Sequence, residues 1–254
     1  MATGVLIVCV GPATRLIQFG QAAPKHYVGD FRFGLTSNTE DITGELTTHD
    51  TPPVSREQLE AALPQFVGKI DQRPPAFSAL RVGGKRAYDL ARAGKEVQLE
   101  SREIEIFSLS VVTFDFPNFQ IDIKCGSGTY VRSLGRDIAE SLATHAVMTG
   151  LVRAGIGEFQ QADAVKLDDL NSENVDDHLL APQSIIGDMA STVLVDDEFE
   201  KLQDGNWIRR DMPESVKDLA AYDTAGRLVV VLKKDSGRLF VPKINFARHW
   251  ASRS

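Results

Sequence analysis

Gly126-Ser127-Gly128-Thr129 runs directly into Tyr130-Val131-Arg132, and these seven residues carry the densest chemical signal in the 254-residue chain. A glycine-rich turn ahead of a helix can offer backbone N–H groups to a phosphate. This one lacks the lysine of a P-loop and the third glycine of a dinucleotide fingerprint. A tight strand-to-helix turn that needs glycine for positive φ has the same composition. Arg132 is more telling, because on the first helical turn its guanidinium faces the positive end of the helix dipole. It calls for a carboxylate or a phosphate nearby, although an arginine on a helix surface is the commoner outcome. Tyr27 is a third candidate, the aromatic at the head of a strand, where core or edge packing is the ordinary use. The five histidines, His26, His49, His145, His178 and His249, flank no nucleophile in a recognisable pattern. The His-x-Glu and Pro-Cys-x-x-Cys pair of the zinc deaminases is not present.

Charge is distributed unevenly around these residues. Between Lys69 and Lys95 seven basic residues, among them Arg73, Arg81, Lys85 and Arg86, stand against Asp71 and Asp89. Between Asp163 and Asp204 twelve acidic residues stand against Lys166 and Lys201. The basic stretch is a surface for an anionic partner or merely uneven surface charge. The net charge of −7 weighs against nucleic acid, whose phosphates are met by Lys and Arg. Cys9 and Cys125 have neither Cys-x-x-Cys spacing nor clustered histidines, which points to reduced thiols in a cytoplasm and to no structural zinc. No apolar run reaches the ~20 residues that span a bilayer, and no cationic segment with a signal-peptide core opens the chain.

The elements that must hold these residues can be read from pattern. Val5 to Val10 is a continuous apolar run, which predicts a strand covered on both faces. Tyr27 to Gly34 alternates, as a half-exposed strand does, and Thr36 to Gly44 is a loop. Ser55 with Gln58 three residues on makes a capping box, followed by Leu59, Ala62, Leu63 and Phe66 as one helical stripe. Residues 72 to 94 are punctuated by Pro74-Pro75 and Gly83-Gly84, and Lys85 to Ala93 could be a short helix closed by Gly94. Ile104 to Phe114 and Phe119 to Cys125 read as strands. The helix after Thr129 presents Val131, Leu134, Ile138 and Leu142 on one face. Leu228 to Leu232 and Arg238 to Val241 flank a turn as a β-hairpin does.

Several of these stretches, in order, resemble the bacterial tRNA pseudouridine-55 synthases of the TruB type. They are Ala2-Thr3-Gly4-Val5-Leu6, Gly11-Pro12-Ala13-Thr14-Arg15, Lys25-His26-Tyr27, residues 36 to 44, residues 72 to 94, and Gly128-Thr129-Tyr130-Val131-Arg132-Ser133. The resemblance implies an α+β fold with a mixed, mainly antiparallel sheet flanked by helices and lacking its N-terminal portion. Residues 1–189 would form the catalytic domain, 72–94 its RNA-gripping insertion, and 190–254 a small β-rich, PUA-like RNA-binding domain. It implies isomerisation of a uridine flipped out of the tRNA T-loop, without cofactor or metal, by a monomer in the cytoplasm. Tyr27 would stack on the flipped base, Tyr130 and Leu151 would line the pocket, and Arg132 would pair with the catalytic carboxylate. Arg73, Arg81, Lys85 and Arg86 would grip the T-arm.

The family's nucleophile lies in a Gly-x-Leu-Asp-Pro-x-Ala-Thr-Gly motif, of which Ala2-Thr3-Gly4 matches the tail. The aspartate is therefore expected two residues before Met1. Either the sequence is clipped from a working synthase, or it is a non-catalytic tRNA-binding or tRNA-folding protein that keeps the RNA surface. Loss of a core strand would cost several kcal/mol against a total stability of ~5–15 kcal/mol, which favours the first.

Overall fold

A computed structural model of the chain describes residues 2–78, 80–82, 85–86, 88 and 99–247. By packing, the chain divides into one unit of residues 1–6 and 22–164 and a second of residues 7–21 and 165–254.

The elements in chain order begin with β1 (Ala2–Gly4), α1 (Ile17–Ala22), β2 (Lys25–Phe33), β3 (Leu35–Ser37), β4 (Leu46–Thr48), α2 (Arg56–Ala62) and β5 (Gly68–Gln72). The two-residue strands β6 (Arg81–Val82) and β7 (Lys85–Arg86) precede β8 (Arg102–Asp115), β9 (Asn118–Cys125), α3 (Val131–Ser141), β10 (Ala146–Ile156) and β11 (Phe159–Gln160). Then come β12 (Ser191–Val193), α4 (Asp196–Gln203), β13 (Ile208–Arg209), β14 (Asp218–Tyr222), β15 (Leu228–Ser236) and β16 (Leu239–Asn245). The chain is thus α+β, with sheets that are almost wholly antiparallel.

In the first unit the main sheet runs β1-β10-β2-β9-β8-β5, with β11 added to β10. Only β1 pairs in parallel, Ala2 lying opposite Leu151 and Gly4 opposite Arg153. Successive residues of β2 face opposite sides of the sheet, so Tyr27, Gly29, Phe31 and Phe33 share the side on which α3 packs. Phe31 and Phe33 stack on Phe119 of β9, with ring centroids 5.3 and 4.3 Å away. Leu134 and Ile138 of α3 and Leu59 of α2 complete a core in which all three are fully buried. The helix comes so close that a Cβ on Gly135 would lie 2.2 Å from the Phe31 ring, and only glycine fits there. The Ser55 capping box forms as its spacing predicts, with Gln58 N–H donating to Ser55 Oγ at 3.2 Å and Gln58 Oε1 accepting from Ser55 N–H at 2.7 Å.

Val5 to Val10 does not form the strand that its composition predicts. Pairing stops at Gly4, apart from one bond from Val5 N–H to the Arg153 carbonyl at 2.8 Å. Beyond it Leu6, Val8 and Val10 are exposed while Val5 is buried. A buried strand needs a neighbour on its backbone and cover on both faces, and here only β10 is offered, for three residues. The helix expected from Lys85 does not begin there either. Lys85 and Arg86 are extended and pair with Val82 and Arg81; Tyr88 is helical, and the rest of that expectation, Ala87 and residues 89–94, lies outside the described residues.

The second unit is built on a five-stranded sheet, β12-β14-β15-β16-β13. The hairpin expected around residue 235 is there, longer than the sequence suggested: β15 and β16 pair from Ser236–Leu239 out to Val230–Asn245. Leu16 from the early segment is fully buried among Ile186, Ala220, Val231 and Ile244. Residues 165–189 carry three short 3-10 turns and belong to the same unit. Among the described residues no helix is long and apolar enough to cross a membrane.

Candidate functional site

The site gathers where the first turn of α3 meets the β2 and β10 strands. The turn before the helix is closed on itself: Gly126 N–H donates to Glu105 O at 2.8 Å, Thr129 Oγ1 to Gly126 O at 3.1 Å, and Gly128 has φ +86°. Arg102 donates through Nη2 to Gly128 O. Of the two readings of these glycines, the geometry is that of a tight strand-to-helix turn. At the helix start, Tyr130 N–H donates to Gln72 Oε1 at 2.8 Å and Gln72 Nε2 to Tyr130 O at 3.1 Å. Gln72 is fully buried, so this one amide satisfies an orphan helical donor and a carbonyl together. The Arg102 guanidinium lies 4.7 Å from the Tyr130 ring centroid, within cation–π range.

The anion that Arg132 requires is supplied from the loop at residues 38–43. Arg132 Nη1 stands 3.2 Å from Asp41 Oδ2 and donates to Thr39 O at 2.6 Å, while Nη2 donates to Phe77 O at 3.1 Å. Asp41 accepts in turn from Thr39 Oγ1 at 2.9 Å, Thr43 N–H at 3.0 Å and Thr43 Oγ1 at 2.5 Å. Burial pushes the Asp41 carboxyl up, but the Thr43 and Thr39 donors and the Arg132 charge outweigh it and hold the group below the usual carboxylate range. One helical turn on, Arg136 pairs with Glu40 and Asp137, and Ser133 Oγ donates to Glu40 Oε2 at 2.6 Å. Burial would lower the Arg136 pKa, yet Glu40 and Asp137 raise it above its ordinary value.

Tyr27 and Leu151 sit on adjacent strands. Leu151 is opposite Gly29 and Arg153 opposite Tyr27, so the four residues share one face. Val131 Cγ1 would be 3.4 Å from a Cβ on Gly29, which sets the start of α3 over that face. Burial pushes the Tyr27 phenol up, against a hydrogen bond with Arg153 that lowers it; the ring is neutral and half-buried. Ala2 flanks Leu151 on the other side. Arg73 is exposed and its carbonyl accepts from Arg136 Nη2 at 2.9 Å. Arg81, Lys85 and Arg86 lie in the β6–β7 ribbon, away from these strands in the pairing scheme. The site thus offers a half-buried phenol and a leucine on one face of the sheet, and a guanidinium held by Asp41 at the start of the helix that packs on that face.

Asp41, Gln72 and Arg102 carry much of this geometry, and sequence reasoning gives none of them a role. Asp41 lies inside the stretch 36 to 44, read as a loop and as one of the family-like segments, with no role given to any single residue in it. A glutamine in a strand has no distinguishing pattern. For Asp41 the signal was indirect: the anion demanded by Arg132 had to come from somewhere.

Residues 1–131 match the N-terminal domain of TruB family pseudouridylate synthases. The tRNA pseudouridine synthase B of Caulobacter vibrioides is 35% identical over 255 residues, covering 94% of this chain and 82% of that protein. That of Chromobacterium violaceum is 37% identical over 241 residues, covering 93% and 79%. That of a Nostoc species is 41% identical over 176 residues, covering 68% and 60%. Among solved structures, a Cbf5-Nop10-Gar1 complex contains a chain that superposes with a TM-score of 0.71 at 20% identity, covering 96% of this chain and 73% of that one. That likeness is one of fold. The fold and the relatives together define the class as pseudouridine synthases, a class of isomerases. Within it, the chain belongs to the TruB family.

Proposed function

We propose that the site serves tRNA pseudouridine-55 synthesis. A uridine flipped out of the T-loop stacks on Tyr27, with Tyr130 and Leu151 lining the pocket. Arg132 faces the carboxylate of the family's catalytic aspartate as well as Asp41. In that chemistry the aspartate attacks, the glycosidic bond breaks, the uracil turns, and it rejoins the ribose through C5, so every atom is retained in the product. This chain's own residues stack the base, exclude water from it and fix one cation beside the nucleophile. The observation that carries the reading is the contact with Asp41 that fixes Arg132 on the helix bordering Tyr27 and Leu151.

Arg73, Arg81, Lys85 and Arg86 are proposed to grip the T-arm through its phosphates, and residues 190–254 to act as a PUA-like second RNA contact beside a catalytic domain of 1–189. The protein is proposed to work as a cytoplasmic monomer. The 254 residues include Ala2-Thr3-Gly4 but no Gly-x-Leu-Asp-Pro, so a polypeptide limited to them is expected to bind T-arm RNA without isomerising it. Incubation of that polypeptide with a T-arm hairpin tests the reading. Tight binding without pseudouridine supports it, turnover would show that the nucleophile is misassigned, and no binding would refute the RNA pocket. In a form that carries the aspartate motif, Arg132→Ala should abolish turnover while leaving hairpin binding largely intact.

A further inference from the structure

Glu40 is the residue before Asp41, and its backbone has φ +61°, a left-handed conformation that side chains other than Gly, Asn and Asp seldom adopt. Such a conformation persists only where its surroundings over-determine it, and here they do. Glu40 N–H donates to Ser37 O at 3.1 Å and Glu40 O accepts from Met148 N–H at 3.2 Å. Its carboxylate takes Ser133 Oγ at 2.6 Å on one oxygen and Arg136 Nη1 on the other. Both side chains of the Glu40–Arg136 pair are only 15% exposed. Arg136 is fixed in turn by Asp137 Oδ1, at 2.9 and 2.7 Å, and by Arg73 O at 2.9 Å.

Arg132 and Arg136 are four residues apart on α3, so they project from the same face of the helix. Consecutive loop residues meet them: Asp41 meets Arg132, and Glu40 meets Arg136. The loop's backbone is also held, by Arg132 Nη1 on Thr39 O at 2.6 Å, Met148 N–H on Glu40 O at 3.2 Å and Ile42 N–H on Met148 O at 2.9 Å, but the first pair alone gives its side chains a single ionic contact with the helix. The second pair, one turn along the helix, gives them another and fixes the carboxylate of position 40 against α3. A glycine at position 40 would reach φ +61° without steric cost; glutamate is the costly choice for the backbone, and what it contributes is the carboxylate aimed at the helix.

We propose that Glu40, clamped by Arg136 and Ser133, is a positioning residue that sets where Asp41 meets Arg132 and hence where the pocket's guanidinium stands. This rests on the reading of Arg132 as a uridine-pocket residue. Glu40 touches no substrate; it acts through Asp41.

The test uses the 254-residue protein and a T-arm hairpin RNA with 2-aminopurine beside the target uridine, whose fluorescence rises when that uridine leaves the stack. Glu40→Gly should lower the thermal midpoint, because loss of the mostly buried pair with Arg136 outweighs relief of the backbone, and should still bind the hairpin within about twofold of the parent, yet lower the fluorescence rise about fivefold. Glu40→Gln, which keeps acceptor capacity toward Ser133 or Arg136, should recover part of it. The double variant Glu40→Gly/Asp41→Asn should be no worse than Asp41→Asn alone, since both act through one contact. A parent-like signal from Glu40→Gly, additive losses in the double variant, or no recovery in Glu40→Gln would each overturn the proposal. Loss of signal in Arg132→Ala with a parent-like Glu40→Gly would overturn the positioning role and leave the pocket reading standing. A parent-like signal in Arg132→Ala would remove the pocket reading itself, and the proposal with it.

Discussion

Arg132 and Asp41 are 91 residues apart in sequence and 3.2 Å apart in space. The contact joins the start of a helix to a loop between two short strands, and it settles a local electrostatic conflict. An arginine on the first turn of a helix is repelled by the dipole, and a carboxylate across the gap reverses the sign of its surroundings.

The contact should be visible in the pH dependence of stability. The folded Asp41 carboxyl titrates below its unfolded value of about 3.9, so the unfolded chain takes up the proton first. Its contribution is therefore present above about pH 4 and lost as pH falls through the depressed folded value. Asp41→Asn is expected to cost about 1–2 kcal/mol at pH 7, and the parent and variant should converge in acid. Urea titrations at pH 7 and near pH 3 measure this; an undiminished gap in acid would show that the carboxylate charge is not the source.

Gln72 is the only described contact that pairs both backbone groups of Tyr130. Gln72→Leu removes the amide and strands the Tyr130 N–H, while the Tyr130 carbonyl keeps its bond from Leu134 N–H at 3.0 Å. The expected loss is about 1–3 kcal/mol, read from the denaturation midpoint. A neutral result would mean that water reaches that donor.

Gly135→Ala should be more damaging than its chemistry suggests. Alanine is ordinarily the better helix former by about 1 kcal/mol, yet its methyl would lie 2.2 Å from the Phe31 ring. Overpacking of this kind costs about 1–3 kcal/mol. A thermal midpoint above the parent's would show that the helix simply shifts outward.

Tyr27 offers a separation of ring from hydroxyl. If the ring stacks on the base, Tyr27→Phe should hold T-arm hairpin affinity within about twofold, while Tyr27→Ala loses about 1–3 kcal/mol of binding. Equal losses in both would assign the effect to the phenol and its hydrogen bond with Arg153.

How much of this could be read from the chain varied with the range of the interaction. The capping box at Ser55, the alternation of Phe119 to Cys125 and the face of Val131, Leu134 and Ile138 are set by neighbours within a few residues, and they fold as patterned. Arg132's need for an anion was legible because the helix dipole is local. Asp41 as its supplier was not, because that depends on how a loop 91 residues away folds back. Val5 to Val10 failed for the same reason in reverse. Its composition suits a buried strand, but a strand is completed by what lies beside it.

Leu16 has a consequence for how the protein comes into being. It is fully buried against Ile186, Val231 and Ile244, all of which leave the ribosome long after it. At about 5–20 residues per second, Leu16 and Phe19 wait on the order of ten seconds or more for the strands that will cover them. Throughout that interval the nascent chain carries an uncovered apolar segment. Translation speed and chaperone capture then bear on the yield of folded molecules alongside the stability of the finished protein.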